Sequence, residues 1–244
     1  MPGNDTAIFV CCHGPSRLPR EYRYPPYILV GAGGYRGPSI ALSDDTGDNI
    51  SAYNRYLNEM SVIYWVARNF SALPPFVGFA MYRHHLDCPQ CKCKGGTITC
   101  VERTYGETVG DQFRRSHGEP PLTCMIARLK DELPVTGETL EHYMDNEHKF
   151  YKGNMFIMPR DMFFDYFGFM QVCIRIAISL VHELDIGHKY ADRTCGYLLE
   201  RMTSFWLWRQ FSRGRAALDA VRMFHLPVRR IPLSAASVPE VSGR

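Results

Sequence analysis

The chain has 244 residues, 45% hydrophobic and 22% charged, with a net charge of +3. That length suits one large domain with a sizeable core, and the slight positive balance is too weak to argue for nucleic acid. No run approaches the roughly 20 apolar residues of a membrane span. The N-terminus also lacks the basic-then-apolar pattern of a signal peptide, so with an odd count of nine cysteines a reducing, cytosolic compartment is expected.

Ala7 to Cys12 is apolar and bounded by His13-Gly14-Pro15, which predicts a first strand entering a loop. Pro25 and Pro26 precede a second short strand, Tyr27 to Val30, and a Gly-rich turn follows from Gly31 to Gly37. Ser43 to Asn49 is a polar loop. Tyr53, Tyr56, Leu57, Met60, Tyr64 and Ala67 then recur at three- and four-residue steps, predicting a helix over Ser51 to Phe70. Pro74 and Pro75 end it. Phe76 to Tyr82 is apolar along its length, as in a strand covered on both faces.

Residues 86–122 show little periodicity and read as an insertion. Thr123 to Leu129 reads as a strand and Gly137 to Met144 as a short helix. Met155 to Met158 predicts a buried strand, which Pro159 should end because it has no N–H for the ladder. Arg160 and Asp161 open a long amphipathic helix to about Leu184, and a second spans about Asp192 to Phe211. A strand is predicted from Val221 to Leu226, and a frayed tail over 234–244. This alternation predicts an α/β sandwich with a mostly parallel sheet, residues 1–233 forming one domain. Ligands of such sheets bind beyond the carboxyl ends of the strands, a rim that would hold His13, the Asp44 to Asn49 loop and Tyr82 to Asp87.

Several clusters on that rim carry chemistry. The acidic loop Asp44, Asp45, Asp48, Asn49 reads either as helix capping or as an acceptor for a base or ribose. Glu59, two turns into the helix, needs a hydrogen-bonded role if buried. Arg83, His84 and His85 at a strand's carboxyl end suit a phosphate or diphosphate. Gly153 and Asn154 are a turn into the buried strand, or a polar pair holding a hydroxylated ligand. Cys88, Cys91, Cys93 and Cys100 fall within thirteen residues and read as zinc ligands, a disulfide loop or loose thiols. Glu200 and Arg201 read as a structural ion pair, or as a carboxylate facing the rim as a general base.

Val10-Cys11-Cys12-His13-Gly14-Pro15, Asp44-Asp45-Thr46-Gly47-Asp48-Asn49-Ile50-Ser51, Glu59-Met60-Ser61, Tyr64-Trp65 and Tyr82-Arg83 form an ordered series with Gly153-Asn154-Met155-Phe156-Ile157-Met158 and Gly196-Tyr197-Leu198-Leu199-Glu200-Arg201. In order and spacing, over about residues 7–212, these motifs resemble the DUF4422 family of glycosyltransferase-like proteins of capsule and polysaccharide clusters, linked to galactofuranosyl transfer. The resemblance implies a GT-A-like, Rossmann-type fold and a transferase moving a hexose, galactofuranose among them, from a nucleoside diphosphate to a glycan. The donor would be a UDP-sugar, and the protein cytoplasmic or peripheral at the membrane face. His13 and Asp45 would then lie near the nucleotide, and Asn49, Glu59, Tyr82, His84 and Arg83 would line the donor pocket. Gly153, Asn154 and Arg201 would lie on the sugar or acceptor side, with Glu200 as the base of an inverting displacement. GT-A enzymes usually hold a divalent metal on an Asp-x-Asp at the strand that here ends in Tyr82-Arg83. No such pair stands there, so cations are expected to neutralise the diphosphate. The family usually shows His-Tyr-Arg-Arg-Tyr-Phe in place of Met81 to Leu86, so a fixed charge is replaced by a partly protonated histidine.

Overall fold

The computed structural model describes residues 5–14, 18, 22, 24–86, 96–220 and 223–225. β1, Thr6–Cys12, pairs in parallel with β2, Tyr27–Gly31, on one side and with β4, Phe76–Met81, on the other. β3, Leu42–Ser43, extends β2 in parallel. All four strands therefore end at one rim. Beyond β4 the direction reverses. β7, Lys149–Pro159, runs antiparallel to β4 and to β6, Thr97–Thr104, and β8, Ala217–Ala220, closes the path in parallel with β6. The main path is β3-β2-β1-β4-β7-β6-β8. A short flap of β5, His84–Leu86, and β9, Met223–His225, hangs from the end of β4. The α/β sandwich is thus parallel over four strands and mixed beyond them.

Strand side chains alternate across the sheet. Ala7, Phe9 and Cys11 of β1 enter the larger core beneath the helices, while Ile8, Val10 and Cys12 enter a smaller core on the other face. Both faces are covered, which is why the strand is uniformly apolar. The larger core is roofed by α2, Met60–Asn69, α6, Arg160–Glu183, and α7, Thr194–Ser212. α6 has the length of a membrane span, with mean hydropathy 1.5 in its most apolar window, so the expectation that no run approaches one does not hold by composition. Half of that window is buried in the domain, where Phe163, Tyr166, Met170, Cys173 and Leu180 face the core.

The region expected to be an insertion belongs largely to the fold. β6 lies inside the sheet. It is followed by α3, Val109–His117, which begins with the Thr108 side chain accepting the Asp111 N–H, and by α4, Pro120–Glu132. α4 also replaces the strand predicted over Thr123 to Leu129. Leu122, Met125, Ile126 and Leu129 are buried at three- and four-residue spacing, and prolines at the first two positions suit a helix start. α5 covers Pro134–Asn146. The tail, 234–244, lies outside the described residues.

Two irregularities place the site. The helix predicted over Ser51 to Phe70 is broken: a 3-10 turn, Ser51–Tyr53, and one helical turn, α1, Asn54–Leu57, precede Asn58 at φ 56°, after which α2 begins. The break is pinned by hydrogen bonds. Asn54 Nδ2 donates to Asn58 O at 2.7 Å and to Ser61 Oγ at 2.8 Å, and Ser61 Oγ donates to the buried Asp44 Oδ2 at 2.5 Å. Asp44 Oδ1 accepts the Gly34 N–H at 3.0 Å. Ser61→Ala removes one of these donors from a buried carboxylate and should cost about 1–3 kcal/mol in urea unfolding. A loss below about 0.5 kcal/mol would show that Asp44 does not depend on Ser61.

The second irregularity lies in β7, where Gly153 and Asn154 adopt φ 85° and 47°. They do not form a turn before a strand; they sit within one. The register against β6 shifts between Cys100 and Glu102, so the strand bulges and continues. The four-residue strand expected at Met155 is therefore an eleven-residue strand.

Candidate functional site

Five segments converge on one cavity of about 290 Å³ at the carboxyl rim of the parallel strands. β1 delivers His13, and the turn after β4 delivers Tyr82, Arg83 and His84. The helix break supplies Asn58 and Glu59, and the β7 bulge supplies Lys152, Gly153 and Met155. The start of α7 supplies Arg193, Gly196, Tyr197 and Glu200. Gly196 allows α7 to come this close, because a Cβ there would lie 2.2 Å from Asn58 Nδ2. Arg83 and Glu200, separated by more than a hundred residues in the chain, line the same cavity.

The carboxylates form the inner wall. Glu59 is 7% exposed, and one oxygen accepts from Asn154 Nδ2 at 2.9 Å. Asn154 is itself buried, and its Oδ1 has no partner among the described residues. Glu200 Oε1 accepts the Gly153 N–H at 2.5 Å, and Oε2 accepts from Arg201 at 3.0 Å. Burial raises the pKa of Glu200, against which the charge of Arg201 and the Gly153 N–H hold it down. Burial, reinforced by the nearby Glu200 charge, pushes Glu59 from 4.5 to about 7.

The Glu59 shift sets a stability dependence of definite sign. The folded chain keeps this proton between pH 4.5 and about 7, where the unfolded chain has released it, so its ionisation lowers stability as pH rises through that window. Glu59→Gln keeps an acceptor for Asn154 and abolishes the penalty. The variant should melt higher than the parent at pH 8, by up to about 3 kcal/mol of stability, and match it near pH 4.5. An equal melting difference at both pH values would remove this account.

The outer wall is cationic. Arg83, Lys152 and Arg193 line the cavity with no ion pair among the described residues. The Arg83 guanidinium lies 5.2 Å from the Tyr82 ring, whose other neighbour is the His13 imidazole at 6.0 Å, edge-on. Burial lowers the pKa of His13, and the charges of Arg193 and Arg83 lower it further. A divalent cation would meet three fixed cations here and two carboxylates already engaged by N–H donors. No group of three or more His, Cys, Asp or Glu side chains is arranged for a metal among the described residues. This donor set does not suit a divalent metal.

Not every residue expected on the rim reaches it. Asp45 makes a bidentate pair with Arg36, both bonds 3.0 Å, at the surface. Asn49 accepts from Ser51 N and Oγ, so it caps the turn that opens the helical region. Arg201 lies under the cavity, 4% exposed, with its guanidinium 4.5 Å from the Phe150 ring centre. Asn154 supports the wall from behind, through Glu59. Cys88, Cys91 and Cys93 lie outside the described residues. Cys100 is buried in β6, and burial raises its thiol pKa. Sequence reasoning missed Lys152 and Arg193. Lys152 adjoins Gly153 and Arg193 opens a helix, but neither position carries a motif that marks it.

An α/β protein with one mixed cavity at the rim of its parallel strands is the class defined by fold and site. The chain belongs to the family described as a domain of unknown function, DUF4422, whose model matches residues 7–211. Among solved structures it is similar to the WbbM bifunctional glycosyltransferase in its apo form, with a TM-score of 0.74 and 20% identity. The match covers 91% of this chain and 45% of that one, so the chain spans less than half the length of its structural neighbour. No curated protein matches.

Proposed function

We propose that this protein is a glycosyltransferase that uses a nucleoside diphosphate sugar and inverts the anomeric centre. The observation that carries this reading is the division of a single cavity, with the partly buried Glu200 on one wall and Arg83, Lys152 and Arg193 on the other. The fold shared with a glycosyltransferase supports it. The diphosphate would lie against the cations, which neutralise the charge that grows on the leaving oxygen. Glu200 would take the proton of an acceptor hydroxyl, whose oxygen attacks the anomeric carbon from the face opposite the diphosphate. His13 and Tyr82 would border the nucleotide, and Glu59 the sugar. In this reading a UDP-hexose, galactofuranose included, is the donor, a glycan is the acceptor, and the enzyme works in the cytoplasm or against the membrane face.

A panel of nucleotide sugars tests the proposal. The donor should raise the melting temperature, by about 2.7 kcal/mol of stability at a hundredfold excess over Kd. Mass spectrometry should then find a glycan extended by one sugar. Tight binding without transfer or donor hydrolysis would leave a non-catalytic binding module, and no shift with any donor would overturn the reading.

A further inference from the structure

The Glu200 carboxylate stands on a buried cation that never reaches the cavity. Arg201 is 4% exposed, and its Nη1 donates to Glu200 Oε2 at 3.0 Å and to Tyr197 O at 3.3 Å. Its Nη2 donates to Gln112 on α3. The guanidinium plane is held by two rings, Phe150 at 4.5 Å and Phe113 at 5.7 Å. Aromatic rings, a backbone carbonyl and an amide thus fix the position of the charge, and Glu200 is the only carboxylate to which it is paired among the described residues.

We propose that Arg201 is a positioning residue, which holds Glu200 charged and in one rotamer so that its remaining lone pairs face the cavity. A neighbouring opposite charge at this distance favours the ionised acid. Desolvation of the Glu200 carboxylate acts in the opposite sense and favours the protonated acid. The other charged or titratable groups around Glu200 are Glu59 before α2, Lys152 on β7, Arg193 and Tyr197 at the start of α7, Tyr82, Arg83 and His84 after β4, His13 after β1 and Tyr105 after β6. Of these, Lys152 acts on Glu200 in the same sense as Arg201 but more weakly. Arg201 also explains a neighbour: His117, stacked on Tyr197, is lowered to about 4, by burial first and then by the Arg201 charge. The Arg201 charge thus acts on both neighbours, adding to burial at His117 and opposing it at Glu200.

The inference rests on the base reading of Glu200, but its test does not need turnover. In protein carrying 13C-labelled glutamate, the Glu200 carboxyl signal is assigned by its loss in Glu200→Gln and separated from Glu59 by Glu59→Gln. Arg201→Met should move the Glu200 titration up by about one pH unit or more, and Arg201→Lys should restore most of the difference. The acid limb of the kcat/KM profile should move with it, while KM for the donor stays within about twofold. Gln112→Leu frees one end of the guanidinium and gives a smaller upward shift, a readout that remains if Arg201→Met fails to fold. A Glu200 titration unmoved in these variants would overturn the inference and leave the base reading intact. Full turnover in Glu200→Gln would overturn the base reading alone.

Discussion

Glu200→Gln is expected to reduce sugar transfer by about 10²- to 10⁴-fold, the range over which a positioned general base contributes. Donor affinity should change little. The substituted amide oxygen can still accept the Gly153 N–H, so the β7 bulge keeps its anchor. The cations that would hold the diphosphate stand on other segments: Arg83 after β4, Lys152 in β7 and Arg193 before α7. What is lost is the charge that would remove the acceptor proton. Arg201 loses its carboxylate at the same time, and a buried cation stripped of its partner is costly, so the melting temperature must be measured alongside. The decisive comparison is transfer rate against donor Kd, by product analysis and calorimetry. A variant that keeps the parental rate shows that the base lies elsewhere. Loss of donor binding in parallel with rate would make Glu200 a donor-binding group.

Phe156→Ala is expected to destabilise the fold by about 3–5 kcal/mol. Phe156 is fully buried in β7, opposite Phe79 of β4 and Cys100 of β6. Its ring packs edge-on against Phe79 at 5.5 Å and Tyr166 at 5.2 Å, and Phe79 also touches Phe163. The residue joins the parallel half of the sheet to the antiparallel half and to α6. Its neighbours belong to strands and a long helix that cannot easily collapse into the void, which places the expected cost toward the upper end of that range. For a chain of this size, the melting temperature should fall by about 10 °C. A fall under about 3 °C would mean the cluster closes around the cavity.

The chain's periodicity exposes most of its outer frame. Apolar runs mark β1, β2 and β4, and Pro159-Arg160 marks the junction where β7 ends and α6 begins. Elsewhere the local signals are ambiguous. Thr123 to Leu129 is short and apolar, and only the buried set at Leu122, Met125, Ile126 and Leu129 reveals a helix. β6 looked like part of a loop because its partners, β7 and β8, are about fifty and a hundred and twenty residues away. Such pairing leaves no mark on neighbouring residues. Gly153 and Asn154 both favour positive φ, a property that a turn and a bulge share, and the local sequence does not encode whether a ladder resumes beyond them.

By itself the sequence determined the alternation of strands and helices and singled out Glu59, Arg83 and Glu200, because apolar patterning and unusual charges are local properties. Only the tertiary structure decided which of those charges face one another. It sent Asp45 to Arg36 and Arg201 beneath the floor, and brought Lys152 and Arg193 to the wall. The physical reason is that a charge acts through space, over a few ångströms and in a medium set by burial, whereas the chain's order records only its neighbours along the backbone.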